Sequence, residues 1–197
     1  MSQKVIYTVG SSTRSQEEFV ALLKSYQIDQ LIDVRRFPTS RFDHFRREAL
    51  SESLKKEGIG YSYLGRELGG YRTGGYESYT GTAAFSQAIA VLEELASEKR
   101  CVIMCAEKFP WRCHRRFIAQ ALERRGWQVI HILDRGRSWF RNCSTEQWSK
   151  ARNSSPGAKA SCGEKDGKGA QGLLGLNVQF QSLPLARNFL DNLHTGA

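Results

Sequence analysis

Apolar positions along this chain fall into two alternating rhythms. Val5-Ile6-Tyr7-Thr8-Val9 is β-rich with a period of two, and Gly10-Ser11-Ser12 ends it. Phe19, Leu22, Leu23 and Tyr26 then recur at the spacing of one helix face. Ser15 precedes that run as an N-cap, and Glu17 and Glu18 put negative charge at the positive end of the helix. Leu31-Ile32-Asp33-Val34 reads as a second, buried strand. Pro38 lacks the N–H that a central ladder needs, so the strand stops before it. A basic loop with Arg41, His44, Arg46 and Arg47 follows. A helix is predicted over about 48–57, halted by Gly58, and then a third strand, Ile59-Gly60-Tyr61-Ser62-Tyr63.

Residues 65–81 break the rhythm. Six glycines stand among Tyr71, Tyr76 and Tyr79, which predicts a mobile or binding loop. Thr82 caps the next helix, carrying Phe85, Ile89, Leu92 and Leu95. Cys101-Val102-Ile103-Met104-Cys105 is a buried strand. A helix from about His114 to Arg125 stops at Gly126, and Trp127 to Ile132 is the last clear strand. The order β-α-β-α-β-α-β-α-β predicts an α/β fold: one three-layer domain with a mostly parallel sheet flanked by helices, plus a flexible C-terminal tail. The expected divisions are an α/β domain over 1–150, a small-residue linker, expected to be disordered, over 151–172 and a short tail over 173–197.

Composition narrows the picture. The chain has 197 residues, enough for one ordinary domain and an appendage. No apolar run reaches membrane-spanning length, and the start shows no signal-peptide core, so the expectation is a cytoplasmic protein with no membrane partner. Five cysteines form no disulfide framework and read as core, catalytic or ligating thiols. A net charge of +9, with arginine prominent, points to an anionic partner, a nucleotide or a nucleic acid.

The candidate chemistry is concentrated in Cys105-Ala106-Glu107-Lys108-Phe109-Pro110-Trp111-Arg112-Cys113-His114-Arg115-Arg116, between a strand and a helix. In a parallel α/β sheet such a loop lies where ligands bind. Cys113 is the expected nucleophile, because a helix start and positive neighbours favour the thiolate. Cys105, which ends the strand, reads equally as a small core hydrophobe. His114 is the expected base or phosphate donor, and Glu107 a general acid or base. Arg115 and Arg116 open a helix against its dipole, an arrangement that a bound anion would reverse. Asp33 is expected beside Arg35 or Arg115, either as a structural pair or with a direct role. Trp111 offers an aromatic face for a base, or a packing lid.

Tyr7 to Ser12, Leu31 to Pro38, Leu68-Gly69-Gly70, Met104 to Glu107 and Cys113-His114-Arg115 together resemble the domain-of-unknown-function family 488 over the first two-thirds of the chain. The resemblance implies an α/β domain with a Cys/Glu/Cys/His/Arg site, and it carries no assigned reaction. Asp33-Val34-Arg35 and a strand-ending cysteine also resemble the rhodanese pattern, though six residues separate Cys105 from Arg112, one too many for that loop.

The leading expectation is an enzyme acting on a phosphate-bearing substrate, with Arg35, Arg112 and Arg115 holding the anion. The alternatives are a non-catalytic nucleic-acid module, contacting phosphates through Arg41, Arg46 and Arg47 and bases through Trp111, and rhodanese-like sulfur transfer. No cofactor and no metal are expected. Cys105, Cys113 and His114 match no common zinc spacing, and adjacent Cys113 and His114 on one helix would point about a third of a turn apart.

Overall fold

The computed structural model describes residues 3–140. Six strands form one sheet: β1 (Val5–Gly10), β2 (Gln30–Asp33), β3 (Gly60–Tyr63), β4 (Cys101–Cys105), β5 (Gln128–Asp134) and β6 (Arg137–Phe140). Their spatial order is β3-β2-β4-β1-β5-β6. Every pairing is parallel except β5 with β6. The helices are α1 (Gln16–Ser25), α2 (Arg47–Lys56), α3 (Gly65–Leu68), α4 (Tyr76–Thr80), α5 (Ala83–Glu98) and α6 (Arg115–Arg124). The fold is α/β, as the alternation predicts. The expected linker and tail at 151–172 and 173–197 lie outside the described residues.

Side-chain alternation in the strands builds two cores. Val102 and Met104 join Phe19, Leu23, Leu50 and Leu54 of α1 and α2 on one face. Ile103 and Cys105 join Phe85, Leu92, Ile118 and Leu122 of α5 and α6 on the other. Each fully buried aliphatic side chain contributes about 1.5–3 kcal/mol, so these two clusters hold the three layers together. Ser15 caps α1 as predicted, in a reciprocal box. Its hydroxyl accepts from the Glu18 N–H, and the Glu18 carboxylate accepts from the Ser15 N–H.

Two segments differ from the sequence expectation. Residues 65–81 hold two short helices, α3 and α4, joined by a loop over 69–75, rather than one open loop throughout. The Tyr76 hydroxyl donates to the Leu68 carbonyl at 2.7 Å and the Tyr79 hydroxyl to the Glu67 carbonyl at 2.6 Å, while both rings pack edge-on against Phe85. The tyrosines therefore bind the segment down between its glycines. The sheet also continues past β5 into the antiparallel β6, turned by Gly136 at φ 66°. A four-residue strand, Arg137-Ser138-Trp139-Phe140, shows too little alternation to be read from sequence.

The chain leaves β2 toward α2 on one face and leaves the neighbouring β4 toward α6 on the other. Connections that diverge from adjacent parallel strands open a crevice at their carboxyl ends.

Candidate functional site

That crevice is a cleft of about 550 Å³. Residues after β2 supply one wall, with Arg35, Arg36 and Phe37. Cys105 at the end of β4, Glu107 just after it, and Arg112, Cys113, His114, Arg116 and Phe117 around the start of α6 supply the floor and the opposite wall. Gly70, Tyr71 and Tyr76 come over the top.

Cys105, Cys113 and His114 meet on the floor. Cys113 does not lie on the helix. It follows a 3-10 turn at Pro110–Arg112 with extended backbone, φ −131° and ψ 152°, and His114 is the N-cap of α6. This corrects the sequence argument that adjacent residues on one helix would diverge: their side chains turn into the same space. The Cys113 sulfur lies 3.6 Å from His114 Nδ1 and the Cys105 sulfur 3.9 Å from it. His114 Nε2 lies 3.0 Å from the Val34 carbonyl. A carbonyl only accepts, so Nε2 carries a hydrogen and Nδ1 turns toward the two sulfurs. That is the geometry in which a thiol passes its proton to an imidazole.

The two thiols are not equivalent. The Cys113 thiol is held well below its ordinary range, first because the Cys105 thiol donates a hydrogen bond to it, then by His114 and Arg115, against the opposing effect of burial. The Cys105 thiol is pushed up, because it is the donor in that bond and because it is buried. Above them the Tyr76 ring centroid lies 5.2 Å from that of His114 and stacks on Phe117 at 5.4 Å. Burial raises the Tyr76 phenol, which therefore stays protonated.

The other expected site residues divide into two groups. Arg112 and Glu107 are exposed and line the cleft, and neither side chain has an ion-pair partner among the described residues. Arg36 and Arg116 join them; their hydrogen bonds among the described residues go to the carbonyls of Arg66 and Trp111, and Arg116 also lies over the Phe117 ring. Asp33 and Arg35 are turned to each other. Asp33 is fully buried, accepts from the Arg35 Nε at 2.9 Å and terminal nitrogen at 2.6 Å, and also accepts the Tyr61 hydroxyl at 2.8 Å. The remaining Arg35 terminal nitrogen donates to the Phe45 carbonyl at 2.8 Å. Asp33 does not line the cleft.

Arg115 is also directed inward. It is 1% exposed, donates to the Thr8 hydroxyl at 3.2 Å and bonds the carbonyls of Glu107 and Lys108. The sequence reading expects a bound anion to offset a cation at this helix start. The loop carbonyls meet that need instead, and Arg115 ties the loop after β4 to the start of α6. Trp111 is 49% exposed and stacks on Phe109, beside a smaller cavity that shares Arg116 with the main cleft. Arg41, Arg46 and Arg47 do not reach the cleft. They lie over Phe42, pair with Asp43 and lie over Tyr63, respectively.

Sequence reasoning named the tyrosine-rich segment as a binding loop but missed Phe37 and the meeting of its ring with Tyr71. Phe37 is 64% exposed and Tyr71 87% exposed, with ring centroids 6.1 Å apart at the cleft mouth. Tyr71 has φ 59°, a left-handed backbone that is uncommon for a ring-bearing residue. The signal available was the tyrosines spaced among the glycines.

Fold and site together define a three-layer α/β protein with a thiol- and imidazole-floored cleft at the carboxyl edge of its parallel strands. Residues 15–122 match the family described as Domain of unknown function DUF488, and the chain belongs to that family. No curated protein and no solved structure matches it. Among the described residues no helix is long and apolar enough to cross a membrane.

Proposed function

We propose that this protein is an enzyme acting on a phosphate-bearing substrate, a nucleotide or a nucleic-acid strand, with Cys113 as its nucleophile. The observation that carries this reading is a thiol favoured as thiolate on the floor of a 550 Å³ cleft whose rim holds cations without carboxylate partners among the described residues. Arg36, Arg112 and Arg116 receive the phosphates. Phe37 and Tyr71 take the base, because an exposed ring stacks on any base at a gain of about 1–3 kcal/mol. The Cys113 sulfur forms a bond to the electrophilic atom of the substrate as the bond to the leaving group breaks. Glu107 or the imidazolium of His114 supplies the proton that the leaving group needs. Sulfur transfer through Cys105 fits less well, because a buried proton donor is the poorer nucleophile of the two.

The test is the alkylation rate of each cysteine against pH in chelator-treated protein, with and without mixed nucleotides and a short single-stranded oligonucleotide. The expected result is rapid alkylation of Cys113 near neutral pH and protection by one of these ligands. An unreactive Cys113, or equal rates with and without every ligand, would count against an anion-binding nucleophile site. Loss of oligonucleotide binding on Arg46→Ala with Arg47→Ala, but not on Arg112→Ala, would favour the non-catalytic module.

A further inference from the structure

The floor of the cleft has a second chemical capacity, independent of any nucleophilic role. The two sulfurs and Nδ1 all lie within 4.8 Å of one another. Tetrahedral zinc binds sulfur at about 2.3 Å and imidazole nitrogen at about 2.0–2.1 Å, which sets a sulfur–nitrogen separation of about 3.6 Å. The observed separations are 3.6 and 3.9 Å. The imidazole is already oriented, because the Val34 carbonyl takes the Nε2 hydrogen and leaves Nδ1 facing the sulfurs. Outer hydrogen bonds of this kind hold metal-ligating histidines in place. The ligands also sit on well-anchored elements: Cys105 ends a strand paired on both sides, and Cys113 and His114 are set by the backbone bonds of a 3-10 turn and of α6.

We propose that Cys105, Cys113 and His114 form a zinc site with one open coordination position on the cleft. Two thiolates and one imidazole make a donor set that suits zinc among the available divalent ions. Three protein ligands with a free fourth position is the arrangement of catalytic rather than structural zinc. The three ligands line the same cleft as the residues assigned to substrate and as Glu107. Loading this site ties up both sulfurs, so the attacking group would no longer be Cys113. The inference shares the cleft with the proposed function but does not depend on the substrate carrying a phosphate.

The experiment uses the full-length chain, reduced, stripped with a chelator and titrated with Co²⁺ as a spectroscopic stand-in for zinc. The expected result is one Co²⁺ per chain, with thiolate-to-cobalt charge transfer in the near ultraviolet and the intense visible bands of a tetrahedral site. Cys105→Ser, Cys113→Ser and His114→Ala should each weaken binding at least about tenfold. Cys101→Ser should leave it unchanged, since that sulfur bonds the Leu95 carbonyl away from the cleft. Cys143→Ser with Cys162→Ser should also keep the signal. Binding without charge transfer, or full charge transfer in Cys105→Ser, overturns the proposal. Should a variant fail to fold, the wild-type chain decides: one equivalent of Zn²⁺ must slow alkylation of both Cys105 and Cys113, and unchanged rates sink the site. Nucleotide protection of Cys113 in chelator-treated protein is read separately, so the metal site and the thiolate enzyme can each fail alone.

Discussion

At the scale of the residue, the cleft floor sets two neighbouring thiols in opposite directions. The folded state favours the thiolate at Cys113 and the thiol at Cys105. The Cys113 contribution to stability is complete above the ordinary thiol range and is lost as pH falls through its lowered folded value. The Cys105 contribution is complete below the ordinary range and is lost as pH rises through its raised value. Between those limits Cys113 is favoured as thiolate and Cys105 as thiol. Cys105→Ala removes the donor that contributes most to lowering Cys113. The alkylation profile of Cys113 in metal-free protein should then move to higher pH, and an unmoved profile would assign the lowering to His114 and Arg115 alone. The buried pair gives a second prediction. Asp33→Asn leaves the Arg35 charge buried without its carboxylate, and breaking such a pair costs about 3–5 kcal/mol, measurable by urea denaturation. These residues also mark where the sequence was legible. Cys113, His114, Glu107 and Arg112 could be found because their chemistry is local to one loop. The inward turn of Arg115 could not, because its hydroxyl partner Thr8 is 107 positions away.

At the scale of the element, the strand and helix assignments followed from periodicity, and the failures came from elements too short to display any. α3 and α4 have four and five residues, and tyrosine-to-carbonyl bonds define them more than any hydrophobic face does. Two glycines where elements touch give opposite predictions. A Cβ at Gly10 would lie 2.1 Å from the Glu107 carbonyl oxygen, which is backbone and cannot swing aside. Gly10→Ala should therefore displace the reactive loop from the end of β1 and lower the melting temperature. A Cβ at Gly70 would lie 3.2 Å from His114 Nδ1, a close contact that falls on the imidazole alone. Gly70→Ala should keep the fold and its melting temperature while weakening Co²⁺ binding and slowing Cys113 alkylation. A variant that loses stability but keeps both signals would show that the glycine serves packing only.

At the scale of the whole molecule, the chain carries a net charge of +9, and Arg36, Arg112 and Arg116 line one cleft. If a single strand binds there, its affinity should fall with salt, with a logarithmic slope of about −0.7 for each phosphate neutralised. Arg112→Ala and Arg116→Ala should each remove about one such increment in a fluorescence titration. A slope that neither substitution changes would place the strand elsewhere on the surface. The strand order has a consequence for how the protein is made. β1 lies inside the sheet between β4 and β5, so Tyr7 aligns with Val102 on one side and with Ile130 on the other. Once made, β1 has no neighbour until about a hundred more residues are synthesised, a wait of about 5–20 s at cellular elongation rates. Through that interval Val5-Ile6-Tyr7-Thr8-Val9 is an unpaired apolar strand, and the nascent chain offers chaperones a segment that the finished sheet pairs on both sides.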